Sequence, residues 1–277
     1  MKVIKSINIL KKELKVARKN SFVINFIPTM GALHNGHMKL IQKAKKKNVI
    51  RIVSIYVNPA QFGPNEDFKN YPRTIQKDLL VLRNAKIDIL FLPINKQIIS
   101  YKTNYKCPNF SIEKILCGKS RPKYFPGVKD IIIKLFDIVQ ADYSFFGEKD
   151  YQQFIVIKKM AKKLNFKTEI IPIKTVRNKN GLPLSSRNKY LGPEEIKIAN
   201  KINKICMNLL PKVRKNLNTK KILSDAKLEL LINGVNHIDY LTVLTDQLGH
   251  RKSLNSKSRI FIAANIGRTR LIDNFPI

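Results

Sequence analysis

Apolar residues along this chain fall into short continuous runs, separated by stretches in which they recur every three or four positions. That alternation predicts strands and helices in turn. Residues 22–27 form the first strand-like run, and Met38, Leu40, Ile41 and Ala44 mark a helix after it. Residues 49–57 are β-branched and end at Asn58-Pro59, a strand followed by a loop signal. A helical stretch over 74–85 leads into a third run, 87–92, stopped by Pro93. The rhythm continues with a helix over 128–139, a strand over 143–146, a helix over 151–164 and a strand over 167–173. Residues 1–20 carry an amphipathic helical pattern without the apolar core of a signal peptide.

Such alternation implies an α/β fold, a Rossmann-like, doubly wound parallel sheet wrapped by helices. Beyond Ile173 the character changes. A Gly/Pro/Ser-rich loop over 180–188 precedes a helical segment near 193–210 and then mixed α and β pieces. The expected division is a nucleotide- and substrate-binding domain at 1–174, with a smaller α+β C-terminal domain at 175–277 closing over the active site. No internal repeat is visible.

Composition narrows the class. At 277 residues and 44% hydrophobic content the chain can build real cores. A formal net charge of +34 would ordinarily point to nucleic acid or an anionic surface. The lysines, however, are spread over nearly every predicted helix face, with no basic arm and no interleaved stacking aromatics. The chain is also rich in Ile and Asn, which share AT-rich codons with Lys. Compositional bias therefore accounts for the charge, and no nucleic-acid partner is expected. Cys107, Cys117 and Cys206 are odd in number and far apart, which fits neither a disulfide framework nor a metal site and implies a reducing cytoplasm. No apolar stretch is long enough to span a bilayer, so no membrane partner is expected.

The most informative segment is Met30-Gly31-Ala32-Leu33-His34-Asn35-Gly36-His37, preceded by Pro28-Thr29, which places two of the four histidines within four residues on a strand-to-helix turn. In an open parallel sheet, ligands bind beyond the carboxyl ends of the strands, where helix N-termini direct free N–H groups outward. Gly31 and Gly36 let the backbone approach an anion, and two imidazoles can donate to phosphoryl oxygens as charge grows there. A metal-binding His pair on one helical face is the alternative. The flanking glycines argue for a turn instead, and no third His or Cys completes a zinc shell. Three more clusters fall near strand ends or in the interdomain loop: Asn58 to Phe62, Gly147 to Gln153, and Leu184 to Asn188. Taken alone, Glu148-Lys149-Asp150 also fits a solvated helix start, and Ser185-Ser186-Arg187 an ordinary loop. Two hydroxyls and a guanidinium on a mobile loop nevertheless suit a triphosphate that is gripped and then released.

A histidine turn followed by a serine-and-cation loop is the layout of the HxGH nucleotidyl-transferring superfamily. The ordered set P-T-M-G-A-L-H-N-G-H, V-N-P-A-Q-F, Y-P-R-T, F-G-E-K-D-Y-Q-Q, L-S-S-R-N-K-Y-L and R-L-I-D-N closely resembles the pantothenate synthetase (pantoate:beta-alanine ligase) family along essentially the whole chain. The resemblance implies attack of the (R)-pantoate carboxylate on the α-phosphorus of ATP, then displacement of AMP by beta-alanine, with Mg²⁺ and a homodimeric enzyme. It implies an ATP site of Met30, Gly31, Ala32, Leu33, His34, Asn35, Gly36, His37, Gly147, Glu148, Lys149, Asp150, Val176, Leu184, Ser185, Ser186 and Arg187. Within it His37 polarises phosphate or handles a proton, His34 binds, and Lys149, Ser185, Ser186 and Arg187 stabilise developing charge. Gln61 and Gln153 would hold pantoate, with Asn58 and Tyr71 near the substrate and Asp78 linked to metal or amine binding.

One block departs from the family pattern S-R-P-G-H-F-x-G-V-x-T-V. Tyr124 stands where histidine is usual, and Asp130 where threonine is. If that loop shapes the pocket, the change is expected to reduce affinity or turnover. The competing readings are another HxGH adenylyltransferase, in which a phosphate attacks in place of a carboxylate, and a basic nucleic-acid-binding protein. Neutral glutamines suited to hydroxyls and a carboxylate favour the ligase.

Overall fold

The computed structural model describes residues 1–216 and 218–277. In chain order the strands and helices are β1 (Lys2–Ile4), α1 (Ile7–Lys19), β2 (Val23–Thr29), α2 (Asn35–Lys43), β3 (Val49–Ile55), α3 (Ile75–Asn84), β4 (Ile89–Phe91), α4 (Asn95–Ser100), α5 (Leu116–Ser120), α6 (Tyr124–Val139), β5 (Tyr143–Gly147), α7 (Tyr151–Lys163), β6 (Glu169–Ile173), α8 (Pro193–Arg214), α9 (Lys220–Ile232), β7 (His237–Thr245), β8 (Ser258–Ile266) and β9 (Thr269–Pro276). They divide into two compact units. The first comprises residues 1–110, 121–148 and 153–174; the second comprises 111–120, 149–152 and 175–277.

The first unit is built on a six-stranded parallel sheet in the order β1-β4-β3-β2-β5-β6. The α/β expectation holds. From β2 the chain builds outward through β3 and β4 on one side, then returns through β5 and β6 on the other. The carboxyl ends of β2 and β5 therefore flank the topological switch point, where open α/β sheets bind ligands. Ile27, Val53, Leu90 and Phe145 from the sheet pack with Leu40 and Ile41 of α2 and Leu82 of α3 in one apolar cluster. Both segments that follow β2 and β5 thus start from a rigid base.

The second unit carries a three-stranded antiparallel sheet, β7-β8-β9, with a bulge between Ile238 and Tyr240. Its core joins Ala199, Ile202, Cys206 and Leu209 of α8 to Ala226 and Leu230 of α9 and to Ile260, Ile262 and Phe275 of the sheet. This is the small α+β module that the mixed pattern after Ile173 suggested. Among the described residues no helix is long and apolar enough to cross a membrane.

Several boundaries differ from the sequence reading. The amphipathic pattern at 1–20 begins with a three-residue strand, β1, which pairs only with β4 and is too short to leave a periodic signature. Helix α6 starts at Tyr124, four residues before the expected 128. Pro126-Gly127 resembles a breaker in the sequence, but proline in a first turn forfeits no hydrogen bond, because the N–H it lacks has no intrahelical acceptor there. Helix α8 likewise runs to Arg214, through Pro211, beyond the expected end near 210.

Candidate active site

The turn after β2 is shaped by backbone demands. Gly31 and Ala32 both take left-handed conformations, φ 79° and 50°. A Cβ on Gly31 would lie 2.9 Å from Ile55 Cγ2 and 3.1 Å from Asp78 Oδ2, so glycine is required there twice over. The next two N–H groups point at Asp78 of α3: Ala32 N–H donates to Oδ2 at 2.9 Å and Leu33 N–H to Oδ1 at 2.8 Å. Thr74 adds its hydroxyl to Oδ1 at 3.2 Å. Asp78, 1% exposed, thus holds the histidine turn in place, and the metal-linked role expected for it would compete with those bonds.

The turn delivers His34 as the N-cap of α2 and His37 into its first turn. His34 Nδ1 accepts Gly36 N–H at 3.1 Å, and His37 Nδ1 accepts His34 N–H at 3.3 Å, a reciprocal cap made of two imidazoles. His34 thus sits just before α2 and His37 in its first turn, at the strand-to-helix junction. The ring centroids lie 4.1 Å apart. A nitrogen that accepts a hydrogen bond carries no proton, so both neutral rings are held as the Nε2–H tautomer. Each ring thereby presents a donor at Nε2.

A second group gathers around the loop after β3. Asn58 caps a single 3-10 turn, Pro59–Gln61, through Ala60 N–H at 3.2 Å. Its Nδ2 donates to Gln61 Oε1 at 3.3 Å and to Gly127 O at 3.0 Å. Gln61 Nε2 reaches Met30 Sδ at 3.0 Å, linking this loop to the histidine turn. Gly127 permits the approach of α6: a Cβ there would sit 2.2 Å from Ala60 O. On the same helix Tyr124 donates its hydroxyl to Gln153 Oε1 at 2.6 Å, while its ring stacks 3.9 Å from the Arg121 guanidinium. Arg121 is held by Glu66 at 2.7 and 2.5 Å and donates to Gln61 O at 3.2 Å. Asn58, Gln61 and Gln153 are thus joined in one network, whereas Tyr71 is buried edge-on against Phe62 at 5.8 Å.

In the second unit, Lys149 Nζ lies 3.6 Å from Asp150, and its carbonyl accepts from Asn274 Nδ2 at 3.1 Å. The loop that carries the serines is tied to its surroundings at several points. Leu184 N–H donates to Val176 O at 2.9 Å, and Arg177 pairs with Gly181 O at 2.9 Å and with both oxygens of Asp273 at 2.6 and 2.8 Å. Burial pushes the Asp273 carboxyl above its usual range, and Arg177 pulls it back. Ser185 caps the following 3-10 turn, Ser186–Tyr190, by accepting Arg187 N–H at 3.3 Å. Glu66 and Arg177 escaped the sequence reading, while Arg121, Asp273 and Asn274 stood inside quoted motifs without an assigned role. Their partners lie tens of residues away in the chain.

A parallel sheet with a histidine-capped helix at its switch point defines the chain as a Rossmann-like α/β protein. The family follows from comparison: the chain belongs to the pantoate-beta-alanine ligase family, whose model matches residues 2–276, and it is accordingly a ligase. It is 41% identical to the pantothenate synthetase of Acinetobacter baumannii over 280 residues, covering 100% of this chain and 98% of that one. It is 43% identical to that of Buchnera aphidicola subsp. Acyrthosiphon pisum over 284 residues, covering 100% and 99%. Among solved structures, a pantothenate synthetase from Thermus thermophilus superposes with a TM-score of 0.91 at 31% identity, over 99% of each chain. The Francisella tularensis pantoate-beta-alanine ligase, complexed with beta-gamma ATP and beta-alanine, gives 0.81 at 38% identity, over 100% of this chain and 97% of that one.

Proposed function

We propose that this chain condenses (R)-pantoate with beta-alanine in an ATP-dependent reaction that passes through pantoyl adenylate. The observation that carries this reading is the double-imidazole cap, which sets both rings as Nε2–H donors at the carboxyl end of β2. A pantoate carboxylate oxygen attacks the α-phosphorus, and pyrophosphate leaves. The beta-alanine amine then attacks the acyl carbon, loses a proton and expels AMP. His37 donates to the α-phosphate as charge accumulates, His34 binds alongside it, and Lys149, Ser185, Ser186 and Arg187 take up charge on the leaving pyrophosphate. Met30 to Leu33, Asn35, Gly36, Gly147, Glu148, Asp150, Val176 and Leu184 complete the nucleotide contacts. Gln61 and Gln153 hold pantoate through neutral hydrogen bonds, which orient the carboxylate without quenching it, and Asn58 and Tyr71 support that pocket.

Mg²⁺ fits this reading as an ion brought in on the triphosphate, where it neutralises charge. Ligation by Asp78 would have to share its oxygens with the Ala32 and Leu33 N–H groups and the Thr74 hydroxyl, which they already accept. Among the described residues no group of three His, Cys, Asp or Glu side chains is arranged to hold a metal. We further propose a cytoplasmic homodimer in which residues 175–277 close over bound nucleotide. The test is an assay of pyrophosphate and AMP release with each substrate omitted in turn. Pyrophosphate should require pantoate but not beta-alanine, and AMP should require both. AMP release without pantoate would overturn the reading.

A further inference from the structure

Gln153 has two chemically different ends, and which one faces a ligand decides what it can recognise. An amide oxygen would repel a carboxylate; the NH₂ group would bind one. Nothing in a glutamine itself fixes that choice, because rotation about its last bond exchanges the two ends at little cost.

The choice is made by Tyr124. Its hydroxyl donates to Gln153 Oε1 at 2.6 Å, an arrangement that turns the oxygen toward Tyr124 and the two-proton end away from it. Tyr124 is in turn over-determined. Its ring is stacked at 3.9 Å on Arg121 and packs edge-on against Phe125 at 4.9 Å, and Arg121 is clamped by both oxygens of Glu66. The same guanidinium donates to the backbone carbonyl of Gln61 at 3.2 Å. One rigid chain, Glu66 to Arg121 to Tyr124, therefore sets Gln153 and braces the loop that carries Gln61.

We propose that Tyr124 is a positioning residue for substrate recognition, fixing the Gln153 amide with its NH₂ group toward the pantoate carboxylate or hydroxyls. This inference rests on the reading that Gln153 binds pantoate.

The test is a substrate-by-substrate kinetic comparison of Tyr124→Phe, Gln153→Ala and the double variant, with thermal melting of each. Tyr124→Phe keeps the ring on Arg121 and removes only the hydroxyl. It should raise the KM for pantoate about tenfold, the scale of one hydrogen bond, and leave the KM values for ATP and beta-alanine within about twofold. On the Gln153→Ala background the same change should add nothing, because no amide remains to orient. If Gln153→Ala leaves the pantoate KM unchanged, the reading of the pocket fails. If Gln153→Ala raises it but Tyr124→Phe does not, the positioning role alone is overturned. A Tyr124→Phe variant that melts earlier and loses affinity for all three substrates alike would mark Tyr124 as merely structural and overturn the proposal too.

Discussion

An imidazole has two nitrogens, and at the start of α2 both histidines commit Nδ1 to the backbone, so the proposed chemistry falls to Nε2. Substitutions can separate the two jobs. His37→Ala should lower the single-turnover adenylation rate roughly 10²-fold or more, the scale of removing one preorganised donor from a charged transition state. His37→Asn places an acceptor near the Nδ1 position but nothing at Nε2. It should therefore restore melting temperature without restoring rate. A variant that keeps full rate in rapid-quench measurements would show that the ring is only a cap. The histidine turn was legible in the sequence because its logic is local, two histidines and two glycines within a few positions. The role of Asp78 was not, since its carboxylate meets N–H groups 45 and 46 positions away.

At the scale of elements, one helix start decides the shape of the substrate loop. Gly127 lets α6 lie against the Pro59–Gln61 turn, and a methyl there would strike backbone at Ala60 and Gln61. Gly127→Ala should cost about 1–3 kcal/mol in denaturant melts, the usual penalty of overpacking, and should raise the pantoate KM as the turn shifts. A silent substitution would mean that α6 and the turn move apart freely. In the second unit, Arg177 clamps the segment before the serines to β9. Arg177→Met strands a buried carboxylate and should destabilise by about 3–5 kcal/mol near neutral pH. Burial already holds the Asp273 carboxyl above its unfolded value, and losing Arg177 raises it further. The destabilisation should therefore be full at pH values above that raised value. It should shrink as pH falls and Asp273 takes up a proton. An equal deficit at every pH would contradict this. Periodicity gave the order of these helices and strands, while their ends were set by caps, tertiary clamps and a first-turn proline that no apolar pattern encodes.

Over the whole molecule, a charge of +34 acts against compactness. Repulsion among spread lysines is screened over about 10 Å at 0.1 M salt, so moderate salt should raise the melting temperature by a few degrees. No response would mean that the lysines are already compensated locally. The α/β class was legible because a parallel sheet repeats one unit many times, whereas the edge strand β1 was not. It is three residues long and pairs with β4, so that Lys2 faces Ile89 in the finished sheet. At typical elongation rates of about 5–20 residues per second, β4 leaves the ribosome roughly 5–20 s after β1. The β2–β3 pair, drawn from residues 23–55, can zip up in that interval. The β1 segment must wait without its partner until β4 is made. Lys2 and Lys5 flank the brief apolar step at Val3 and Ile4, and charge at such positions disfavours pairing of a waiting strand with another chain.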